Sequence, residues 1–199
     1  SQTEATKRDN RKAACYPAEW WARTRVRGEA INDGLRSYLA AELTSAGFPA
    51  CAPVLLPEWR TGGSERYVMG SSWSERHAAY ASGLGTFGLS EGLITEKGKA
   101  HRVGSVITRI EMEATPRPYA DHHEYCLFFT EGSCRACIER CPAQAITEEG
   151  HDKLKCYKHT VDICSTYVQS RFNLDGGYGC GLCQTGVPCE SRIPRRRGV

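Results

Sequence analysis

The most informative absences in this 199-residue chain are long apolar runs and a large excess of one charge. No stretch approaches the roughly 18 apolar residues of a membrane-spanning helix, so we expect no membrane span. The first 14 residues are polar and lack the apolar run of a secretory signal, which favours a cytoplasmic location. A formal net charge of +3 is too small to indicate a nucleic-acid partner.

Cysteine is the residue that the chain has in excess, with eleven in 199 positions. An odd count without a secretion signal argues against a disulfide framework. Clustered cysteines in a reducing compartment more often bind metal. Nine of the eleven lie after residue 125, so the sequence predicts metal chemistry in the C-terminal half.

The spacing of apolar residues predicts an α+β fold. Positions 31–43 recur at helical spacing before Gly47, and 50–56 and 102–113 are typical of extended strands. Ser72 and Glu75 form a predicted capping box for a helix through position 81, and 60–66 is typical of a loop. The proline-rich stretch 115–118 indicates a linker. We therefore expect a disordered arm (1–14), an α+β domain (15–116), a metal-holding domain (117–191) and a basic tail (192–199).

The strongest motif is the series Cys134, Cys137 and Cys141, which ends at Pro142. It matches the last three cysteines of the bacterial ferredoxin pattern C-x2-C-x2-C-x3-C-P. Glu131 stands where the first cysteine of that pattern is expected, and Cys126 is the natural substitute. In two-cluster ferredoxins the cysteine before the proline turns away and ligates the other cluster.

A second set of cysteines follows, and it is irregular at its end. A regular C-x2-C-x3-C spacing after Cys180 would put the closing cysteine at Val187, whereas Cys189 lies two residues further on. Crossing the two sets as two-cluster ferredoxins do predicts two 4Fe-4S clusters. The predicted ligands are Cys126, Cys134, Cys137 and Cys189 for cluster one, and Cys141, Cys156, Cys180 and Cys183 for cluster two.

Two alternatives accompany this assignment. Structural zinc also uses C-x2-C pairs, but the order of the cysteines and the proline after Cys141 favour iron–sulfur. Cys15, Cys51 and Cys164 are left over, and we expect them to pack as small thiols. The clusters would supply much of the stability of their domain, because few apolar residues surround the loops.

A segment before the cysteines carries a family resemblance. It runs from Glu75-Arg76 through Gly83-Leu84-Gly85 to Gly88 and continues over 93–98 and 102–108. This order, followed by the cysteine sets, resembles the epoxyqueuosine reductase and reductive dehalogenase superfamily. The resemblance covers roughly residues 68–189.

The resemblance implies a nitroreductase-like first portion, here truncated relative to the family, and a ferredoxin-like second domain with two 4Fe-4S clusters. It also implies a base-off cobalamin that receives electrons from the clusters. Gly83, Leu84, Gly85 and Gly88 would then contact the corrinoid, because glycine allows close backbone approach. The alternative is that these glycines only end a helix and position the next strand.

The chain also departs from the family pattern. The resemblance implies an acidic proton donor six residues before Glu75, where this chain has Met69, so epoxyqueuosine reduction itself is not expected. The candidate catalytic residues are then Tyr67, His77 and Tyr80, which would act on a small-molecule substrate.

The sequence leaves three function classes open. The first is an iron–sulfur oxidoreductase that passes electrons through its clusters to a cofactor. The second is a low-potential electron carrier without corrinoid, and the third is a cluster-based sensor or assembly subunit. The first two classes need a redox protein partner as electron donor or acceptor.

Overall fold

The computed structural model describes residues 1–63, 68–176 and 179–196 and shows short helices and small sheets around one long helix. This mixture confirms the α+β class, while the nitroreductase-like and ferredoxin-like topologies and the domain boundaries stay predictions. The helices are α1 (Glu4–Lys12), α2 (Glu19–Ser45), α3 (Glu75–Ala81), α4 (Leu127–Glu131), α5 (Ala136–Glu139), α6 (Lys153–Tyr157) and α7 (Ser165–Phe172).

The strands form four separate two-stranded antiparallel sheets in the described part of the chain. They are β1 (Ala50–Cys51) with β6 (Ile107–Thr108), β2 (Thr61–Gly62) with β3 (Gly70–Ser71), β4 (Gly85–Phe87) with β5 (Leu93–Thr95), and β7 (Ile146–Thr147) with β8 (Gly150–His151). Sheets this small cannot form a core by themselves, so the loops that carry the cysteines contribute to it.

The predicted helix over 31–43 is confirmed as part of α2, which begins earlier, at Glu19. Glu19 pairs with Arg23 one turn later, a spacing that favours the helical conformation. Gly47 follows the helix with φ of +90°, the left-handed conformation in which glycine commonly ends helices. The end of α2 was therefore readable from the sequence, and its start was not.

The helix α3 lies where the sequence predicts it, but its N-cap is a different residue from the predicted one. Ser74 is the N-cap, and its hydroxyl accepts a hydrogen bond from the backbone N–H of His77. The hydroxyl of Ser72 instead accepts a hydrogen bond from the backbone N–H of Arg60. The predicted capping box between Ser72 and Glu75 is therefore wrong by two residues.

Two predicted strands are much shorter in the structure. The stretch 50–56 contributes only β1 before the chain turns into a 3-10 helix over Pro53–Leu55. The stretch 102–113 contributes only β6. The predicted loop over 60–66 contains β2, which pairs with β3, and its last residues lie outside the described part of the chain.

The prediction of a disordered arm over 1–14 is wrong for α1. The hydroxyl of Thr3 accepts a hydrogen bond from the backbone N–H of Thr6 and caps this helix. Asn10 is fully buried, and Lys7 is nearly so. These polar side chains bond to the last cysteine loop, which is why a polar sequence forms an ordered helix there.

The basic tail begins as ordered chain. Pro194 is buried, and Arg196 donates a hydrogen bond to the carbonyl of Glu124. Positions 197–199 lie outside the described residues.

Two buried groups of packed apolar and cysteine side chains form the core. The larger one contains Leu89, Ile94, Cys126, Cys137, Ile146 and Val187, and the smaller one contains Cys164, Cys180 and Leu182. Cys164 is fully buried at the end of a π-helical stretch, Lys158–Cys164, that joins α6 to α7. Within the described ranges, no helix is both long and apolar enough to cross a membrane.

Candidate iron–sulfur and electron-acceptor sites

The structure places four cysteines around one small cavity. They are Cys126, Cys134, Cys137 and Cys189, the residues that the sequence predicts for cluster one. Cys126 caps the start of α4, Cys137 lies in α5, and Cys189 lies beyond the last 3-10 helix. Apart from Gly88 and Lys99, the rest of the lining is apolar side chains, namely Leu89, Ile94, Leu127, Phe128, Val187, Pro188 and Pro194.

The other predicted set is also gathered in space, on the side of α5 that faces the last loop. Cys156 lies near Cys183 and Cys141, which act on it electrostatically. Cys180 is in turn close to Cys183 and Cys156. The Sγ atom of Cys141 accepts a hydrogen bond of 3.3 Å from the backbone N–H of Ala145. Backbone N–H groups of this kind stabilise negative charge on sulfur.

Burial raises the pKa of five of these thiols and so favours their neutral form when no metal is bound. Burial raises the pKa of Cys137 and of Cys156 to about 11. Burial also raises the pKa of Cys180, Cys183 and Cys189. A group that binds these sulfurs must therefore be electropositive enough to displace their protons, as metal centres are.

The geometry does not resemble a closed zinc site. Among the residues that the structure describes, no three His, Cys, Asp or Glu side chains converge tightly enough to hold a single metal ion. Tetrahedral zinc at about 2.3 Å from each sulfur would bring thiolates to within roughly 4 Å of one another. Four thiols line one small cavity, and thiolates are the ligands of iron–sulfur clusters, so the donor set is compatible with a four-iron cluster.

Arg140 holds the loops that carry both sets of cysteines. Its guanidinium donates to the carbonyls of Asn10 and Ala13 in the N-terminal segment and to those of Leu182 and Thr185. Arg140 directly precedes Cys141 in the motif. Sequence reasoning missed this role because nothing in the motif distinguishes a structural arginine from a solvated one.

Lys99 is a second residue that the sequence did not single out. Its side chain lines the cysteine cavity, and it is only 4% exposed. It stands in the polar run Glu96-Lys97-Gly98-Lys99, which looks like a surface turn. Gly98, with φ of +75°, lets the chain pass so close to Glu190 that a Cβ would overlap with the Glu190 backbone.

Two of the four residues proposed to contact a corrinoid have structural roles within the chain itself. Gly83 ends α3 in a Schellman arrangement, with Leu84 N–H bonded to the carbonyl of Ala79. A Cβ at Gly85 would overlap with the backbone of Ile94 in the paired strand. Gly88 lines the cysteine cavity, and the side chain of Leu84 is exposed. Helix capping and strand pairing therefore account for Gly83 and Gly85.

A second, larger cavity of about 460 Å³ lies beside α2, α3 and the last cysteine loop. Its charged lining consists of Arg25, Glu29, Arg36, Glu75, Arg76, Lys99 and Arg102. Both carboxylate oxygens of Glu75 are buried without a hydrogen-bond partner, although Arg36 Nε lies 3.6 Å from one of them. This volume suits a small polar ligand. A corrinoid is larger and largely neutral at its rim, and the described residues do not fit it.

His77 and Tyr80, the candidate catalytic residues that the structure describes, line neither of the two cavities. Tyr67 lies outside the described residues. His77 is exposed, and its Nδ1 lies 2.8 Å from the hydroxyl of Ser74. Partial burial and then the charge of Arg76 lower the pKa of His77. The ring of Tyr80 stacks on Tyr119 at 5.4 Å between centroids.

Comparison with known proteins finds relatives among redox enzymes. The chain is 31% identical over 138 residues to an epoxyqueuosine reductase from Synechocystis sp., which covers 66% of the chain and 43% of that protein. It is 30% identical over 127 residues to an epoxyqueuosine reductase from Cellulophaga algicola, covering 61% of the chain and 37% of that protein. It is 31% identical over 119 residues to a tetrachloroethene reductive dehalogenase from Desulfitobacterium hafniense, covering 58% of the chain and 20% of that protein.

The relatives are considerably longer than this chain. It spans less than half the length of these three curated relatives. No family model matches the chain, and no solved structure matches it significantly.

Proposed function

The chain is a sequence relative of the epoxyqueuosine reductase and reductive dehalogenase superfamily, and from that premise we propose that it is the electron-transfer part of an oxidoreductase. Two 4Fe-4S clusters would pass single electrons towards an acceptor. Cys126, Cys134, Cys137 and Cys189 would hold one cluster, and Cys141, Cys156, Cys180 and Cys183 the other.

The observation that supports this proposal is the gathering of cysteines from distant parts of the chain. Cys189 comes from the end of the chain, yet it lines the same cavity as Cys134 and Cys137. Cys141 follows Cys137 by four residues but lies with Cys156 and Cys183. Two clusters that share one fold exchange a cysteine in this way.

Residues around the two sets of cysteines exclude water from them and hold them in position. Apolar side chains around the first cavity exclude water, which strengthens electrostatic interactions at the sulfurs. Arg140 fixes the last cysteine loop against the N-terminal segment, so the thiols of both sets keep their relative positions. Bound clusters would supply one-electron chemistry in these positions.

The acceptor in this proposal binds in the charged cavity. That cavity shares Lys99 with the cysteine cavity, and Gly181, which follows Cys180, also lines it. An acceptor held there would lie next to the second cysteine set. We propose a small polar molecule, since the described residues do not fit the cobalamin that the family resemblance implies.

A non-enzymatic electron carrier is the second candidate. The observation that favours it is the position of His77 and Tyr80, which lie away from both cavities and leave the acceptor site without either candidate proton donor. A carrier would exchange electrons with a partner protein and would need no bound substrate.

Metal analysis of protein purified without oxygen, from cells supplied with cobalamin, tests the proposal. Iron and sulfide should each approach about eight per chain, as two four-iron clusters require. Cobalt at about one per chain would support a corrinoid-dependent enzyme. Absence of cobalt would support either an oxidoreductase with a small polar acceptor or an electron carrier. Zinc in place of iron would refute the proposal of clusters.

A further inference from the structure

Lys99 is a buried cation without a carboxylate partner in the described part of the chain. Its ammonium group donates a hydrogen bond of 3.0 Å to the hydroxyl of Ser90, which is itself 5% exposed. A lysine is almost never buried this completely unless an opposite charge compensates it. The groups that act on it electrostatically are the thiols of Cys189, Cys183 and Cys137, which would become negative when they bind a metal centre.

The backbone holds this lysine next to the cysteines. The N–H of Lys99 donates to the carbonyl of Cys189 at 2.9 Å, and the N–H of Ala100 donates to the carbonyl of Glu190 at 3.1 Å. Two consecutive hydrogen bonds of this kind fix the register of Lys99 against the last cysteine loop. The position of its side chain is therefore determined by the fold and is not that of a free surface lysine.

Ser90 extends the contact to the other cysteine set. Its side chain lies close enough to Cys183, a predicted ligand of cluster two, to act on the pKa of that thiol. Cys189 belongs to the predicted set for cluster one and interacts with Lys99. The pair formed by Lys99 and Ser90 thus lies between one cysteine of each set, and both side chains are buried.

We propose that Lys99, oriented by Ser90, is a positioning residue that raises the reduction potentials of both clusters. A cluster held by four thiolates is anionic and becomes more negative when it is reduced. A fixed buried cation therefore stabilises the reduced form more than the oxidised form, and low dielectric strengthens this effect. This inference rests on the proposed function, because it requires clusters at both sites.

Redox titration followed by electron paramagnetic resonance tests the inference. The variants are Lys99→Met, Lys99→Arg and Ser90→Ala, with Lys97→Met as the matched control because Lys97 is an exposed lysine two residues away. Iron and sulfide are measured first in every sample. Wild-type protein without clusters refutes the proposed function, and the inference fails with it.

With clusters present, Lys99→Met should shift both midpoint potentials to more negative values, while Lys97→Met leaves them unchanged. Lys99→Arg should keep them near the wild-type values, because the charge is retained. Ser90→Ala should give a smaller negative shift. If Lys99→Met loses its clusters, the shift in Ser90→Ala decides. Unchanged potentials in Lys99→Met that retains its iron would overturn the inference. If Lys99→Met has lost its clusters, unchanged potentials in Ser90→Ala would overturn it.

Discussion

The side-chain amide of Asn10 donates a hydrogen bond of 3.1 Å to the backbone carbonyl of Cys180, 170 positions later in the sequence. The same amide donates to the hydroxyl of Thr185, and the amide oxygen of Asn10 accepts from the backbone N–H of Ala18. Every polar atom of this fully buried side chain is therefore paired. The helix α1 belongs structurally to the cysteine loops.

Replacement of Asn10 by alanine should destabilise the folded protein by about 1–3 kcal/mol, because it leaves the buried Cys180 carbonyl and the half-buried Ala18 N–H without their partner. Urea unfolding of cluster-loaded protein measures the change. Arg8→Ala is the control, since Arg8 is exposed in the same helix. Equal free energies of unfolding for the two variants would show that α1 is not anchored through Asn10.

Gly98→Ala should lower the free energy of unfolding more than Gly47→Ala does, although both glycines have positive φ. At Gly47 a Cβ meets nothing within 4 Å, so only backbone strain of about 1–2 kcal/mol is expected. At Gly98 the Cβ would overlap with Glu190, and the loop must move away from Lys99. The free energy of unfolding and the iron content should both fall further in Gly98→Ala; equal losses would contradict the close packing.

Substitution of one cysteine in either predicted set should remove one cluster. Cys137→Ser and Cys156→Ser should each retain about four of about eight irons, because each belongs to a different set of four. Cys51→Ser should keep the full iron content, since Cys51 lies in β1 away from both sets. Iron and sulfide analysis provides the measurement.

The variant Cys164→Ser tests whether Cys164, the buried cysteine outside both predicted sets, packs as a small side chain or ligates iron. Cys164 is fully buried beside Cys180 and Leu182, and burial raises its pKa to about 11. A buried hydroxyl without an assured partner should lower stability by about 1–3 kcal/mol while the iron content stays unchanged. Loss of about four irons would instead make Cys164 a ligand.

Removal of iron should loosen the cysteine loops together with α1, while the later half of α2 keeps its protection. The reason is that α1 is bonded to 180–191 through Asn10, Lys7 and Arg11. Hydrogen exchange with and without bound iron measures this by peptide. Unchanged protection of α1 and the loops in the iron-free protein would show that the clusters do not stabilise this part.

The grouping of the cysteines was the part of the site most readable from sequence, because motif spacing reflects local geometry around a cluster. The role of Lys99 was not readable. Its burial depends on the pairing of 98–100 with 189–190, two segments far apart in the chain. Ligation by the eight cysteines stays a prediction until metal is measured.

The fold shows the same division between local and distant causes. The end of α2 can be predicted from Gly47, and the position of α3 from its own residues. The cap of α3 cannot, because Ser72 and Ser74 both satisfy the local capping rules. The hydroxyl of Ser72 bonds to Arg60 instead, which leaves Ser74 as the cap. The helix α1 could not be predicted as ordered, since its polar residues find their partners only in the last loop. Polar composition indicates disorder when such partners are unknown.

The anchoring of α1 has a consequence for synthesis of the protein. At about 5–20 residues per second, Cys180 leaves the ribosome roughly 10–30 s after Asn10, since 170 positions separate them. Throughout that interval α1 has no native docking site. The contact between the two segments can form only after nearly all of this sequence has been made, and such distant contacts slow folding. A nascent chain interrupted before residue 180 would leave Asn10 without the groups that bury it.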